Sequence, residues 1–228
     1  MELSSQKLGR LTGLFYFMII LSGLTGSLVF RGSIVDMHDP LATLQAIRGS
    51  ELLYRLGFLS DLIMVMCDVI VSVLFYVLLR KVHRTIALFA MAFRLIQSSV
   101  LGANLINLFT PLLLINRTSA SEHVIADDIL RSLELFDYGY LISGVFFAVN
   151  CLLMGYLIVH STLIPKWIGV MIGLAAVGYM SNSLAYFVLP GFIEVSEMIM
   201  FLTAVLAEVA LCFYLLIKGT KHTTMLRV

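Results

Sequence analysis

Residues 55–109 read RLGFLSDLIMVMCDVIVSVLFYVLLRKVHRTIALFAMAFRLIQSSVLGANLINLF, two long apolar segments that meet at a short basic turn, Arg80-Lys81-Val82-His83-Arg84. A helix needs about 20 predominantly apolar residues to cross a hydrocarbon layer, and each segment exceeds that. Each also holds groups that a lipid-facing helix does not carry without a partner. Asp61 and Asp68 precede the turn; Arg94, Gln97, Asn104 and Asn107 follow it. The hairpin therefore reads as two membrane-spanning helices with a polar seam between them.

Depth in the membrane follows from counting. With Val82 at the turn, Asp68 lies fourteen residues back and Arg94 twelve residues forward. Two antiparallel helices rising about 1.5 Å per residue bring them to similar depth. The same count puts Asp61 level with Asn104. Residues seven apart share a helix face, which aligns Asp61 with Asp68 and Gln97 with Asn104. A charge near a helix centre costs roughly 2.5–3.5 kcal/mol on insertion scales, so both charges should face inward and pair. The expectation is an Asp68–Arg94 ion pair, extended by Asp61, Gln97, Asn104 and Asn107 into a hydrogen-bonded ladder.

The rest of the composition agrees with a membrane setting. Of 228 residues, 60% are hydrophobic and 13% charged, and the mean hydropathy is +1.00. These values belong to a polytopic membrane protein and not to an ordinary soluble domain. A formal net charge of +1 and the lack of a basic stripe argue against a nucleic-acid partner. Cys67, Cys151 and Cys212 sit in separate apolar runs and form neither a disulfide framework nor a CxxC motif.

Taken in order, the chain predicts an all-α bundle of six transmembrane helices within a single integral membrane domain, with spans at about 11–30, 52–79, 85–115, 135–159, 165–189 and 194–217. The first span follows Lys7 and Arg10 but is full length and lacks a small-residue cleavage site, so it reads as retained and not as a signal peptide. Its pairs Ser22/Gly26 and Gly23/Ser27, like Gly169/Gly173 in the fifth span, suit close helix packing. Asp39-Pro40 predicts a helix start and Gly49 a stop, giving a short surface helix. Pro111 predicts the end of regular helix in the third span. The polar stretch from Asn116 to Glu134 allows a helical start near Ser119 or Ser121 that runs directly into the fourth span. Asn116-Arg117-Thr118 matches a glycosylation sequon, relevant only in a secretory pathway.

Six spans put both termini on one side. Nine Lys and Arg fall there (Lys7, Arg10, Arg80, Lys81, Arg84, Lys166, Lys218, Lys221 and Arg227), against five on the other (Arg31, Arg48, Arg55, Arg117 and Arg131). The excess of basic residues predicts cytoplasmic termini.

Glu208, ten residues before Lys218, comes close to Arg94 in depth, and Asn150 lies ten before His160. A mid-membrane cluster of Asp68, Arg94, Gln97, Asn150 and Glu208 follows, and one arginine cannot neutralise two carboxylates. Proton relays use that imbalance, and buried structural networks also show it. A second group at the outer side would gather Asp61, Asn104, Asn107, Asp137, Tyr138 and Tyr140 with Asn182 and Tyr186, although tyrosines at an interface are ordinarily belt anchors. All five histidines fall in loops or at helix ends, and no HxxxH or HExxH pair exists, so no metal and no cofactor is expected. The same placement removes a serine–histidine dyad. Asp61 and Asp68, about 10 Å apart along one helix, are too distant to share a proton.

The hairpin stretches Arg55-Leu56-Gly57, Asp61-Leu62, Asp68-Val69, Tyr76-Val77-Leu78-Leu79-Arg80, Phe93-Arg94-Leu95-Ile96-Gln97 and Leu101-Gly102-Ala103-Asn104-Leu105, with the opening Gly13-Leu14-Phe15-Tyr16, resemble a bacterial membrane family known as a domain of unknown function, number four-three-eight-six. The resemblance covers most of the chain and fades toward the sixth span. It implies a six-helix protein of the bacterial inner membrane and brings no activity, cofactor or catalytic residue with it.

The leading functional reading is a membrane protein whose buried site binds a small molecule or lipid headgroup, with a link to proton movement. Arg94 would hold the anion, Asp68 would be its counter-ion, and Asp61 with Asn104 would form the wall nearer the outer face. The alternatives are a lipid-modifying intramembrane enzyme with a carboxylate base and a structural or regulatory subunit whose seam only sets helix register. The membrane lipids are the expected partners. Oligomeric state is left open.

Overall fold

The computed structural model describes residues 4–118 and 120–221. Helix α1 (Ser5–Leu24) continues through a π-helical stretch (Thr25–Phe30) and a 3-10 turn (Arg31–Ser33), followed by α2 (Pro40–Gly49), α3 (Glu51–Leu79), α4 (Arg84–Leu114), α5 (Glu122–His160), α6 (Lys166–Val188), a 3-10 turn (Pro190–Phe192) and α7 (Ile193–Lys218). There is no strand among the described residues. Six of these helices are long and apolar enough to cross a membrane, α2 being the exception. The fold is all-α, as the composition requires: in lipid, a helix satisfies every backbone group within its own segment.

Local chemistry explains the short elements. Asp39 caps α2, its Oδ1 accepting the Ala42 N–H at 2.9 Å, and Pro40 occupies the first helical position, where its missing N–H costs nothing. Pro111 does not end α4. The helix continues to Leu114, and the Pro111 carbonyl accepts the Ile115 N–H at 3.0 Å. A proline removes only its own donor and crowds only the carbonyl four residues earlier, so the turn after it can still close.

Helix α5 starts at Glu122, one residue after Ser121, while Ser119 lies outside the described residues. Its 39 residues are about twice the number that crosses a hydrocarbon layer. The first turns are amphipathic. Ile125, Ala126, Ile129, Leu130 and Leu133 are buried, while Glu122, Asp127 and Glu134 are exposed.

The chain divides into two compact units. Among the described residues, one comprises 4–17, 67–98 and 141–221, the other 18–66, 99–118 and 120–140. In the first, small residues let helices approach. A Cβ on Gly155 of α5 would stand 2.8 Å from the Gly169 carbonyl oxygen and 2.9 Å from the Gly173 Cα of α6, so the small pair serves a backbone contact. The start of α1 is tied to the segment that follows α7, Thr220 Oγ1 donating to the Ser5 carbonyl at 2.7 Å. Cys67, Cys151 and Cys212 are buried and unbridged. Arg227 and His222 lie outside the described residues.

In the second unit, Leu44 and Ile47 of α2 pack with Leu108, Leu112 and Ile115 and with the buried face of early α5. The small face of α1 meets α3 here. The Ser60 hydroxyl donates to the Ser22 carbonyl at 2.8 Å, and a Cβ on Gly26 would lie 3.0 Å from Asp61 Oδ2.

Candidate functional site in the helical hairpin

Asp68 of α3 and Arg94 of α4 meet in the first unit. Arg94 donates from Nε at 2.8 Å and from Nη2 at 2.5 Å to the same oxygen, Asp68 Oδ1. Ser98, one turn after Arg94, donates to Asp68 Oδ2 at 2.6 Å. All three side chains are buried. The guanidinium carbon also stands 5.2 Å from the ring centres of both Tyr16 and Phe147, a distance at which the ring quadrupole attracts a cation. A carboxylate and two aromatic faces thus replace water around the buried guanidinium, and the Ser98 hydroxyl serves the carboxylate.

A second carboxylate lies near. Glu208 of α7 accepts a hydrogen bond from the Tyr179 hydroxyl of α6, is within hydrogen-bonding reach of Tyr16, and feels the charges of Arg94 and Asp68. It is not one of the groups that Arg94 bonds directly. Asn150 of α5 donates to the Ala90 carbonyl at 2.8 Å. With Ser72, Met91 and Arg94 it lines a cavity of about 10 Å³, room for about one water molecule. Gln97 is buried, and among the described residues its Oε1 has no hydrogen-bond partner. The mid-membrane group drawn from depth counting is therefore gathered in one unit, with unequal ties between its members.

The outer ladder is not continuous. In the second unit Asp61 pairs with Arg31, at the end of the π-helical stretch, and not with Asn104. Among the described residues its Oδ1 is buried without a hydrogen-bond partner, although the Tyr140 hydroxyl lies close to the carboxylate. Arg31 also lies over the Phe136 ring, 5.2 Å from its centre. Asn104 instead donates to the Phe136 carbonyl of α5 at 2.7 Å and accepts from Asn107 at 3.0 Å. A Cβ on Gly139 would collide with the Asn104 amide, so glycine there permits the contact. Asp137 and Tyr138 are exposed, and Tyr140 lies 3.7 Å from the Met64 sulfur. In the first unit, Asn182 accepts from Ser196 at 3.2 Å and Tyr186 donates to Glu197 at 2.5 Å.

Sequence reasoning missed Arg31, Ser98, Tyr16, Tyr179 and Phe147. Arg31 follows directly on an apolar run, a usable signal, but it looked like a loop residue. Tyr16 and Tyr179 sit inside spans and not at their ends, which is where a tyrosine needs a partner for its hydroxyl. Among the described residues no three His, Cys, Asp or Glu converge as metal ligands would. One guanidinium faces two carboxylates, so the group as a whole is neutral only when it carries one proton. Two carboxylates, Asp68 and Glu208, are the groups that can hold it, with the Tyr179 hydroxyl bonded to the second.

Six helices of spanning length, with charged groups held in their interior, define a polytopic integral membrane protein. The chain belongs to the family described as "Domain of unknown function (DUF4386)", whose model matches residues 11–219. It is similar to an "Uncharacterized protein" of Archaeoglobus fulgidus, 28% identical over 160 residues, which is 70% of this chain and 81% of the relative. No solved structure matches the chain.

Proposed function

We propose that this protein binds a small anion-bearing molecule or lipid headgroup at the Arg94 site and couples that binding to movement of a proton, as a carrier in the cytoplasmic membrane with both termini in the cytoplasm. The observation that carries this reading is the surplus carboxylate. Arg94 is matched by Asp68, yet Glu208 stands within their electrostatic reach with two tyrosine hydroxyls and, among the described residues, no ion pair of its own. An incoming anion would take over part of the Arg94 fork, which suits planar oxyanions. The site would then balance its charge by taking up a proton at a carboxylate. The orientation rests on the nine-to-five excess of Lys and Arg on the side of the termini.

One observation favours a second reading, a helix lock without ligand. The cavity beside Arg94 has room for one water, and Asp68, held in turn by Ser98, already occupies the guanidinium. Binding therefore requires α3 and α4 to part, whereas a lock does not.

Native mass spectrometry of the gently solubilised protein, wild type beside Arg94→Gln, separates the two. A small molecule or lipid held by wild type and lost by a still-folded variant supports the site. If both proteins hold the same species, or neither holds one and the variant only melts earlier, the lock reading stands and the binding reading falls.

A further inference from the structure

At the basic turn between α3 and α4 the first unit opens into a second cavity, of about 430 Å³. Lys81 and His83 come from the turn, His160 from the last residue of α5, and Thr162 from the connection to α6; Leu78 and Leu163 supply an apolar wall. Lys81, His83, His160 and Thr162 are all exposed. No carboxylate lines the cavity among the described residues, and Lys81 takes part in none of the ion pairs there.

The ring nitrogens are pre-set. His83 Nδ1 accepts the Ile86 N–H at 3.3 Å, which leaves the ring proton on Nε2 as a donor. His160 Nδ1 lies 2.9 Å from the Tyr156 carbonyl. A carbonyl can only accept, so Nδ1 carries the proton and Nε2 is the nitrogen open to another partner. The ring also packs on Tyr156, with centroids 4.2 Å apart. A basic turn at a membrane face ordinarily does no more than extend its side chains into the headgroup layer. Such a turn has no need of a concavity, and this one borders a space within the roughly 300–1,000 Å³ range of ligand sites.

We propose that this cavity binds a phosphate group, carried by an anionic phospholipid headgroup or by a soluble phosphate compound. The Lys81 ammonium supplies the charge, His83 and Thr162 supply neutral donors, and His160 offers Nε2 as a further open ring nitrogen. The Leu78 and Leu163 wall accommodates the apolar part of the molecule that bears the phosphate. Basic pockets between spanning helices at the cytoplasmic face recognise headgroups by this chemistry. The site is independent of Arg94, and Arg94→Gln should leave it intact.

The test uses the full chain in phosphatidylcholine nanodiscs containing a minority of phosphatidylglycerol, with bound phosphatidylglycerol counted by native mass spectrometry after release. A parallel titration with inorganic phosphate is followed by phosphorus NMR. Wild type, Lys81→Gln, Lys81→Gln with His160→Gln, and Lys166→Gln are compared; all the substituted side chains are exposed, so folding is spared. Lys166 opens α6 and does not line the cavity. The expected result is that wild type and Lys166→Gln retain the probe, while Lys81→Gln loses about five-fold and the double variant about ten-fold or more. Retention of phosphatidylglycerol assigns the site to lipid, and retention of inorganic phosphate alone assigns it to a soluble compound. Equal retention by all variants, an equal loss in Lys166→Gln, or no retention of either probe by wild type overturns the proposal.

Discussion

Two buried aspartates on one helix, seven residues apart, are each answered by an arginine, yet the two pairs are built differently. Asp68 is saturated: two N–H groups of Arg94 reach Oδ1 and the Ser98 hydroxyl reaches Oδ2, all from side chains on the regular helix α4. Asp61 has one arginine, which arrives from the end of an irregular π and 3-10 stretch, and among the described residues its Oδ1 accepts no hydrogen bond, with only the Tyr140 hydroxyl close to the carboxylate besides. The Arg31 side chain is 16% exposed against 5% for Arg94. The difference teaches where freedom resides. A pair held by two regular helices resists opening, whereas a pair closed by a helix end can be released by a local change in winding, and π segments recur at such places.

The comparison can be broken by substitution, read as unfolding midpoints and free energies in one detergent. Asp68→Asn should cost the most, about 3–5 kcal/mol, because it strands a buried guanidinium. Arg94→Gln with Asp68→Asn should then recover part of the loss. Ser98→Ala comes next, at about 1–2 kcal/mol, for one hydrogen bond to a buried carboxylate. Gly139→Ala should cost a similar or slightly smaller amount, about 1–2 kcal/mol, by pushing the Asn104 amide off the Phe136 carbonyl. Adding Asn104→Ala to that variant should return some of it. Asp61→Asn should cost least, about 1 kcal/mol, since Arg31 can turn toward water. Equal losses for Asp61→Asn and Asp68→Asn would erase the distinction between the two pairs.

How far the hairpin was legible depends on how each contact is made. Asp68 and Arg94 were found by counting because a turn of a few residues ties α3 to α4, and a constant rise per residue then sets relative depth. Counting failed one step further out. Asp61 and Asn104 share a depth, but depth does not choose among neighbours. Arg31 reached Asp61 from a stretch whose winding departs from the regular period, and Asn104 found a backbone carbonyl, an acceptor every residue carries and no residue type announces. Pro111 misled for a related reason, since a proline near a helix end interrupts one bond and not the remaining turn.

By itself, the sequence determined that this chain is helical and membrane-spanning, with six helices long and apolar enough to cross, and that the second and third of these carry an inward-facing pair of opposite charges. Those properties follow from composition, length and period, which act along the chain. Only the tertiary structure decided that Tyr16 and Phe147 flank Arg94, that Tyr179 attends Glu208, and that Arg31 answers Asp61. These are contacts between helices distant in sequence, selected by how small residues let their neighbours approach: a backbone at Gly155, and the Asp61 and Asn104 side chains at Gly26 and Gly139. In lipid, where apolar side chains gain little by preferring one another over acyl chains, that close fit and the few polar partners choose the neighbours.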